Sequence, residues 1–218
     1  LRVAWSALWN VIRLSGPASA QFLIASASWL FLVRIVAGCG SDALAGYTVA
    51  VRIIIFAMLP AWGIANAAST LVGQNLGAAK ADRAARSAWL CGHVNMAYMT
   101  SMALLFIAIA PWAMGFFTTA PDAALIGVQA LRIISAGYFF YAYGMVLSQA
   151  FNGAGDAMTP VWLNLVCFWL LEIPLAWYLA RSMQAPEGVF IAVAVSESLL
   201  AVLCMAIFRK GRWKLVQV

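Results

Sequence analysis

Glu172 is the residue of this sequence whose type and position most invite chemistry. It stands in LLEIPLAW, twelve residues past Pro160, in a run that holds no other charge. At about 1.5 Å per helical residue that depth is about 18 Å, beyond the midpoint of a hydrocarbon layer about 30 Å thick. A carboxyl so placed needs a proton, water or a cation. It is therefore either a proton carrier or half of an ion pair with an intramembrane arginine. Pro174 frees a backbone carbonyl one turn earlier and permits a kink beside the acid. Glu197, in VSES, is comparably deep and reads as a structural partner, with Arg52 and Arg132 as the matching ion-pair candidates. Arg132 is equally able to snorkel or to line a cavity, whereas Arg34 lies one turn from a loop and reads as an anchor.

Two polar stripes accompany these charges. Thr48, Arg52, Asn66, Thr70, Gly73 and Gly77 fall close to one helical face; Arg132, Ser135, Tyr138, Tyr141, Met145, Ser148 and Asn152 fall along another. Small and hydroxyl residues serve helix packing, and Gly73 with Gly77 forms a GxxxG pair suited to it. Two tyrosines, an arginine and an asparagine on one face fit a water-lined wall better. Pro60 and Gly63 predict a mid-membrane bend in the second of the long apolar runs. Thr159 and Pro160 predict a helix start, one as cap and the other at the first turn. The single His93 reads as interfacial. No Gly-rich phosphate loop, HExxH or nucleophile elbow occurs, so no catalytic residue and no enzyme is expected. Cys39, Cys91, Cys167 and Cys204 are too dispersed for a metal site or a disulfide framework and are expected as free thiols.

The elements that must carry these residues are membrane helices. Of 218 residues, 65% are hydrophobic and 9% charged, and mean hydropathy is +0.93, whereas soluble domains carry about 25% charged residues. Most tryptophans, phenylalanines and methionines are then lipid-facing or packing groups. Six spans are predicted, at about 15–37, 44–76, 87–117, 123–151, 160–180 and 187–208, preceded by a lead-in over 1–14 and followed by a basic tail over 209–218. Arg2, Arg13, Lys80, Arg83, Arg86, Arg209, Lys210, Arg212 and Lys214 fall on one side of this topology, and Arg181 alone falls on the other. The basic side is expected to be cytoplasmic, with both ends of the chain inside a plasma (inner) membrane. Charge clusters flanking apolar spans explain the net charge of +6 as a membrane signal, so no nucleic acid partner is expected. The leading Leu1 and the lack of a signal-peptide pattern suggest a chain that begins within a longer protein.

ALAGYTVAVRI, MLPAWGIANAASTLVGQNLGAAKADRA, FNGAGDAMTP and EIPLAW, in that order and at those span positions, resemble the multidrug and toxic compound extrusion (MATE) family from about Gly16 onward. The resemblance implies an all-α polytopic bundle, with this sequence as the second six-helix lobe of a twelve-helix transporter whose first lobe is its partner. It also implies a secondary antiporter that exports cationic or amphipathic small molecules in exchange for protons or sodium, without a cofactor. Ala25 and Tyr141 stand where the sodium-coupled, NorM-like branch carries acids, which favours a proton-coupled, DinF-like arrangement. Under this reading Asn66, Tyr138, Tyr141 and Gln149 line the substrate cavity, tyrosine faces favouring cations, and Glu172 is the proton-coupling candidate. A lipid or polysaccharide flippase on a related scaffold, and a six-helix membrane scaffold that transports nothing, are the alternatives.

Overall fold

The computed structural model describes residues 5–215, and side chains from 16 to 214. Arg2 and the side chain of Arg13 lie outside the described residues. The chain folds into α1 (Trp5–Ala37), α2 (Ser41–Gly77), α3 (Ala81–Phe117), α4 (Pro121–Ala136), α5 (Tyr138–Gly153), α6 (Met158–Asn164), a π-helical segment (Leu165–Glu172), α7 (Ile173–Met183) and α8 (Glu187–Arg209), then a 3₁₀ turn (Arg212–Leu215). Five of these stretches are long and apolar enough to cross a membrane, α6 through α7 counting as one, and the bent pair α4–α5 makes a sixth. The first helix begins at Trp5, so residues 5–14 of the expected lead-in are helical.

Alanine decides the packing order. The face of α2 that carries Ala43, Ala50, Ala61, Ala65 and Ala68 is buried, and α2 lies at the centre, against α3, α4 and α5. Small side chains let backbones approach closely where lipid supplies no hydrophobic drive between helices. A Cβ on Gly73 would come within 3.0 Å of the Gly153 carbonyl oxygen, and one on Gly153 would overlap the backbone of Ser69. The GxxxG residue Gly73 thus serves contact with α5. On the far side α8 packs against α5, α4 and α7, while α1 rests chiefly on α6, the π segment and α7.

Two irregularities differ from the sequence expectation. A sharp bend not expected from the sequence lies in the fourth span, where α4 and α5 meet at 60°, and α2 stays helical through Pro60. Proline at 60 leaves the Phe56 carbonyl without its ladder donor, and at the next residue Tyr98 of α3 donates to the Ala57 carbonyl at 2.9 Å, which ties α3 to this turn. Gly137 has ψ of −8°, and its N–H closes a tight bond to the Ile134 carbonyl at 3.1 Å, which ends one helix and starts the next at a new angle. The second irregularity is the π segment, which stops just before Pro174. Proline cannot donate to the Leu170 carbonyl and its ring crowds that group, and a wider turn relieves both. At the start of this span the cap position is Ala157, not Thr159, and Asp156 just before it accepts from the Thr159 N–H at 3.3 Å and from the Thr159 hydroxyl at 2.8 Å.

Candidate functional site

The π segment sets the position of Glu172. Residues five apart stack in i→i+5 geometry, so Glu172 shares the inward face with Cys167 and Phe168, and all three are buried. The acid is 3% exposed and faces the hydroxyls of Ser196 on α8 and Ser28 on α1. Each of these hydroxyls donates to a carbonyl of its own helix, Ser28 to Ala25 at 3.1 Å and Ser196 to Val193 at 3.0 Å. A hydroxyl committed in this way still offers lone pairs to a protonated carboxyl, but has no second hydrogen for a carboxylate.

A partly open cavity of about 70 Å³ lies at the α4–α5 bend. Tyr138 and Tyr141 form one wall, Trp29 and Tyr47 approach from α1 and α2, and Glu197 enters from α8. The Tyr138 and Tyr141 rings are 6.5 Å apart, tilted by 37°. The Glu197 Oε2 atom and the Tyr138 hydroxyl are buried without a hydrogen-bond partner among the described residues. Two such orphans on one cavity mark a place for a polar guest, because an unpaired buried polar atom costs free energy. The π segment that carries Glu172 packs against α8, which carries Glu197. The bend at Gly137 matters here: it lines the cavity itself and starts α5 so that both tyrosines face α8.

Tyr138, Tyr141, Glu172 and Glu197 are therefore gathered into one polar region. The other residues singled out from sequence lie elsewhere. Gln149, toward the far end of α5, accepts from Asn152 at 3.2 Å, and Asn152 in turn accepts from Gln21 of α1 at 2.9 Å. These amides form a tie between helices. Asn66 is exposed on α2, in line with exposed Thr48, Arg52 and Thr70. Arg132 is exposed, and its Nε donates to the Ile107 carbonyl at 3.2 Å. The ion pairs expected of Arg52 and Arg132 with the buried acids are not formed: among the described residues the one cation–carboxylate contact within 4.0 Å is Lys214 to Asp82, at 3.0 Å. Both arginines stand on outward helix faces, whereas both glutamates point into the bundle.

Sequence reasoning missed Ser28, Ser196, Tyr47 and Trp29 as members of this region. Ser196 is adjacent to Glu197 in sequence, a signal that was available. The others depend on which face of α1 and α2 turns inward. It also missed Asn95, fully buried in α3, whose amide donates to the Ala142 carbonyl at 3.1 Å.

The MatE family model matches residues 17–178. Among curated proteins, the chain is 22% identical over 214 residues to the probable multidrug resistance protein NorM of Thermotoga maritima, covering 96% of this chain and 46% of that protein. It is 28% identical to the protein of the same name from Caulobacter vibrioides, covering 87% and 42%. The chain thus spans about half the length of the curated relatives it matches. Among solved structures, the MATE transporter ClbM in complex with Rb+ superposes with a TM-score of 0.88 at 22% identity, over 97% of this chain and 50% of that one. The Vibrio cholerae MATE transporter VcmN in its bent form gives 0.87 at 18% identity, over 96% and 48%. These likenesses extend the shared fold across nearly the whole chain.

Proposed function

The chain belongs to the MatE family, and on that premise we propose that it forms one six-helix lobe of a multidrug efflux antiporter that exports cationic or amphipathic small molecules. The partner is a second six-helix lobe of the same protein, corresponding to the half of the relatives' length that this chain does not span. The observation that carries the proposal is the outward face of α2. Thr48, Arg52, Asn66 and Thr70 are exposed on the helix that is otherwise the centre of the bundle. Polar groups at that depth are costly against lipid tails, and fit a wall shared with another lobe around a water-filled passage. Rocking of two such lobes around a midplane site is the expected transport cycle, with the basic ends of the chain in the cytoplasm of a plasma (inner) membrane.

Protons are the proposed coupling ion, in a DinF-like arrangement. The support is the pair of acids inside this lobe, with no arginine within ion-pair distance of either among the described residues, together with the resemblance that leaves Ala25 and Tyr141 where sodium-coupled relatives carry acids. Glu172 holds the proton beside Ser28 and Ser196. Tyr138 and Tyr141 present aromatic faces to a cationic guest. The flippase alternative calls for several cations lining the passage, and on the exposed face of α2 Arg52 is a single cation beside Thr48, Asn66 and Thr70.

The test is Glu172→Gln in the full-length protein. Insertion and thermal stability should be kept, because the amide retains the shape. Export driven by an imposed proton gradient in proteoliposomes should fall at least about tenfold, the loss of one coupled site of about 1.4 kcal/mol or more. Unchanged export, or equal stimulation by a sodium gradient alone, would reject this assignment of the coupling site.

A further inference from the structure

A second opening lies on the outer surface of the bundle, between α3, α5 and α8, and is separate from the cavity at the bend. Its volume is about 460 Å³, within the range of sites that hold small organic ligands. Arg209, the last residue of α8, forms its mouth, with the guanidinium carbon 5.5 Å from the ring centroid of Trp89. His93 and Tyr143 meet edge to face at 5.7 Å just below. The groove then continues over Met205 to Phe139 and Phe140, which are 45% and 41% exposed. It runs from a charged end at the membrane edge to an apolar end near the bend of the fourth span.

We propose that this groove binds an anionic phospholipid, with the phosphate held at Arg209 and an acyl chain lying along Met205, Phe139 and Phe140. Charge complementarity identifies the occupant. Lys80, Arg83, Arg86, Arg209, Lys210 and Arg212 are all exposed at this edge. The salt bridge between Lys214 and Asp82 joins the segment after α8 to the first turn of α3, so these cations share one side of the membrane. The acids there are already engaged, Asp82 with Lys214 and Asp156 with Thr159. Among the described residues Arg209 therefore has no carboxylate within 4.0 Å, and a guanidinium resting on an indole keeps donors for a phosphate. Basic and aromatic residues at one membrane edge are the pattern that attracts anionic headgroups. A soluble anion would use the charged mouth and leave the aromatic slot unused, whereas a phospholipid fills both.

The experiment is native mass spectrometry of the purified full-length protein with dioleoyl phosphatidylglycerol, with dioleoyl phosphatidylcholine, and with glycerol phosphate as a soluble competitor. Phosphatidylglycerol should be retained about fivefold more than phosphatidylcholine, the factor for one well-placed cation. Arg209→Gln should remove that preference, while Lys210→Gln, which loses the same charge outside the groove, should keep it. Phe139→Glu, which places an anion at the α5 end of the slot, away from Arg209 on α8, should lower retention of both lipids. Equal losses in Arg209→Gln and Lys210→Gln, full displacement by glycerol phosphate, or unaltered retention in Phe139→Glu would each overturn the proposal.

Discussion

At the residue scale, the contrast between Asn95 and Tyr138 shows how burial and partnership separate. Both are buried; the Asn95 Nδ2 donates to Ala142, whereas the Asn95 Oδ1 and the Tyr138 hydroxyl make no hydrogen bond among the described residues. Asn95→Ala should destabilise the purified protein by about 2 kcal/mol, through a lost buried hydrogen bond and a small cavity. Tyr138→Phe should change stability by less than about 1 kcal/mol, because no protein partner is abandoned. Thermal unfolding in detergent measures both, and a larger effect for Tyr138→Phe would show that its hydroxyl is bound by something the cavity admits. Glu172 follows a different logic. Its neighbours Ser28 and Ser196 come from α1 and α8, so its environment is built across the bundle and cannot be read from LLEIPLAW.

At the element scale, small residues set the helix positions. A side chain at Gly153 would collide with the backbone of Ser69, where no rotamer change provides relief. Gly153→Val should therefore push α5 from α2 and cost about 3 kcal/mol or more, at the upper end of overpacking, seen as a lower unfolding temperature. Gly77→Val at the other end of the same GxxxG pair meets nothing within 4 Å and should be close to neutral. The sequence shows both glycines equally; only the approach of α5 distinguishes them. The same holds for the prolines. Pro60 and Pro174 both suggest bends, but one lies in an unbroken helix and the other follows a π segment.

At the scale of the whole molecule, the face of α2 that looks away from the bundle is the feature to test. In the full-length protein with Cys39 and Cys91 replaced by serine, Asn66→Cys should react with a small aqueous thiol reagent at least about tenfold faster than the native Cys167 and Cys204. Those two thiols are fully buried, and reactivity follows access to a water-solvated thiolate. Equal protection of residue 66 would place that face against lipid or protein and remove the passage from the proposal.

Six apolar stretches, the turns between them and the clustering of basic residues were legible in the sequence, because the bilayer imposes a length of about 20 apolar residues and a charge bias on each span regardless of its neighbours. That Glu172 stands within a span and away from the turns was legible for the same reason. Tertiary structure alone decided that Tyr138, Tyr141, Glu172 and Glu197 converge, that Arg52 and Arg132 turn away from both acids, and that Gln149 ties helices together. Those outcomes depend on the rotation of each helix about its axis. Rotation is set by small-residue contacts between helices and by local departures from the α-helical repeat, at Gly137 and before Pro174, and a pattern of hydrophobicity that is nearly uniform around each helix does not encode it.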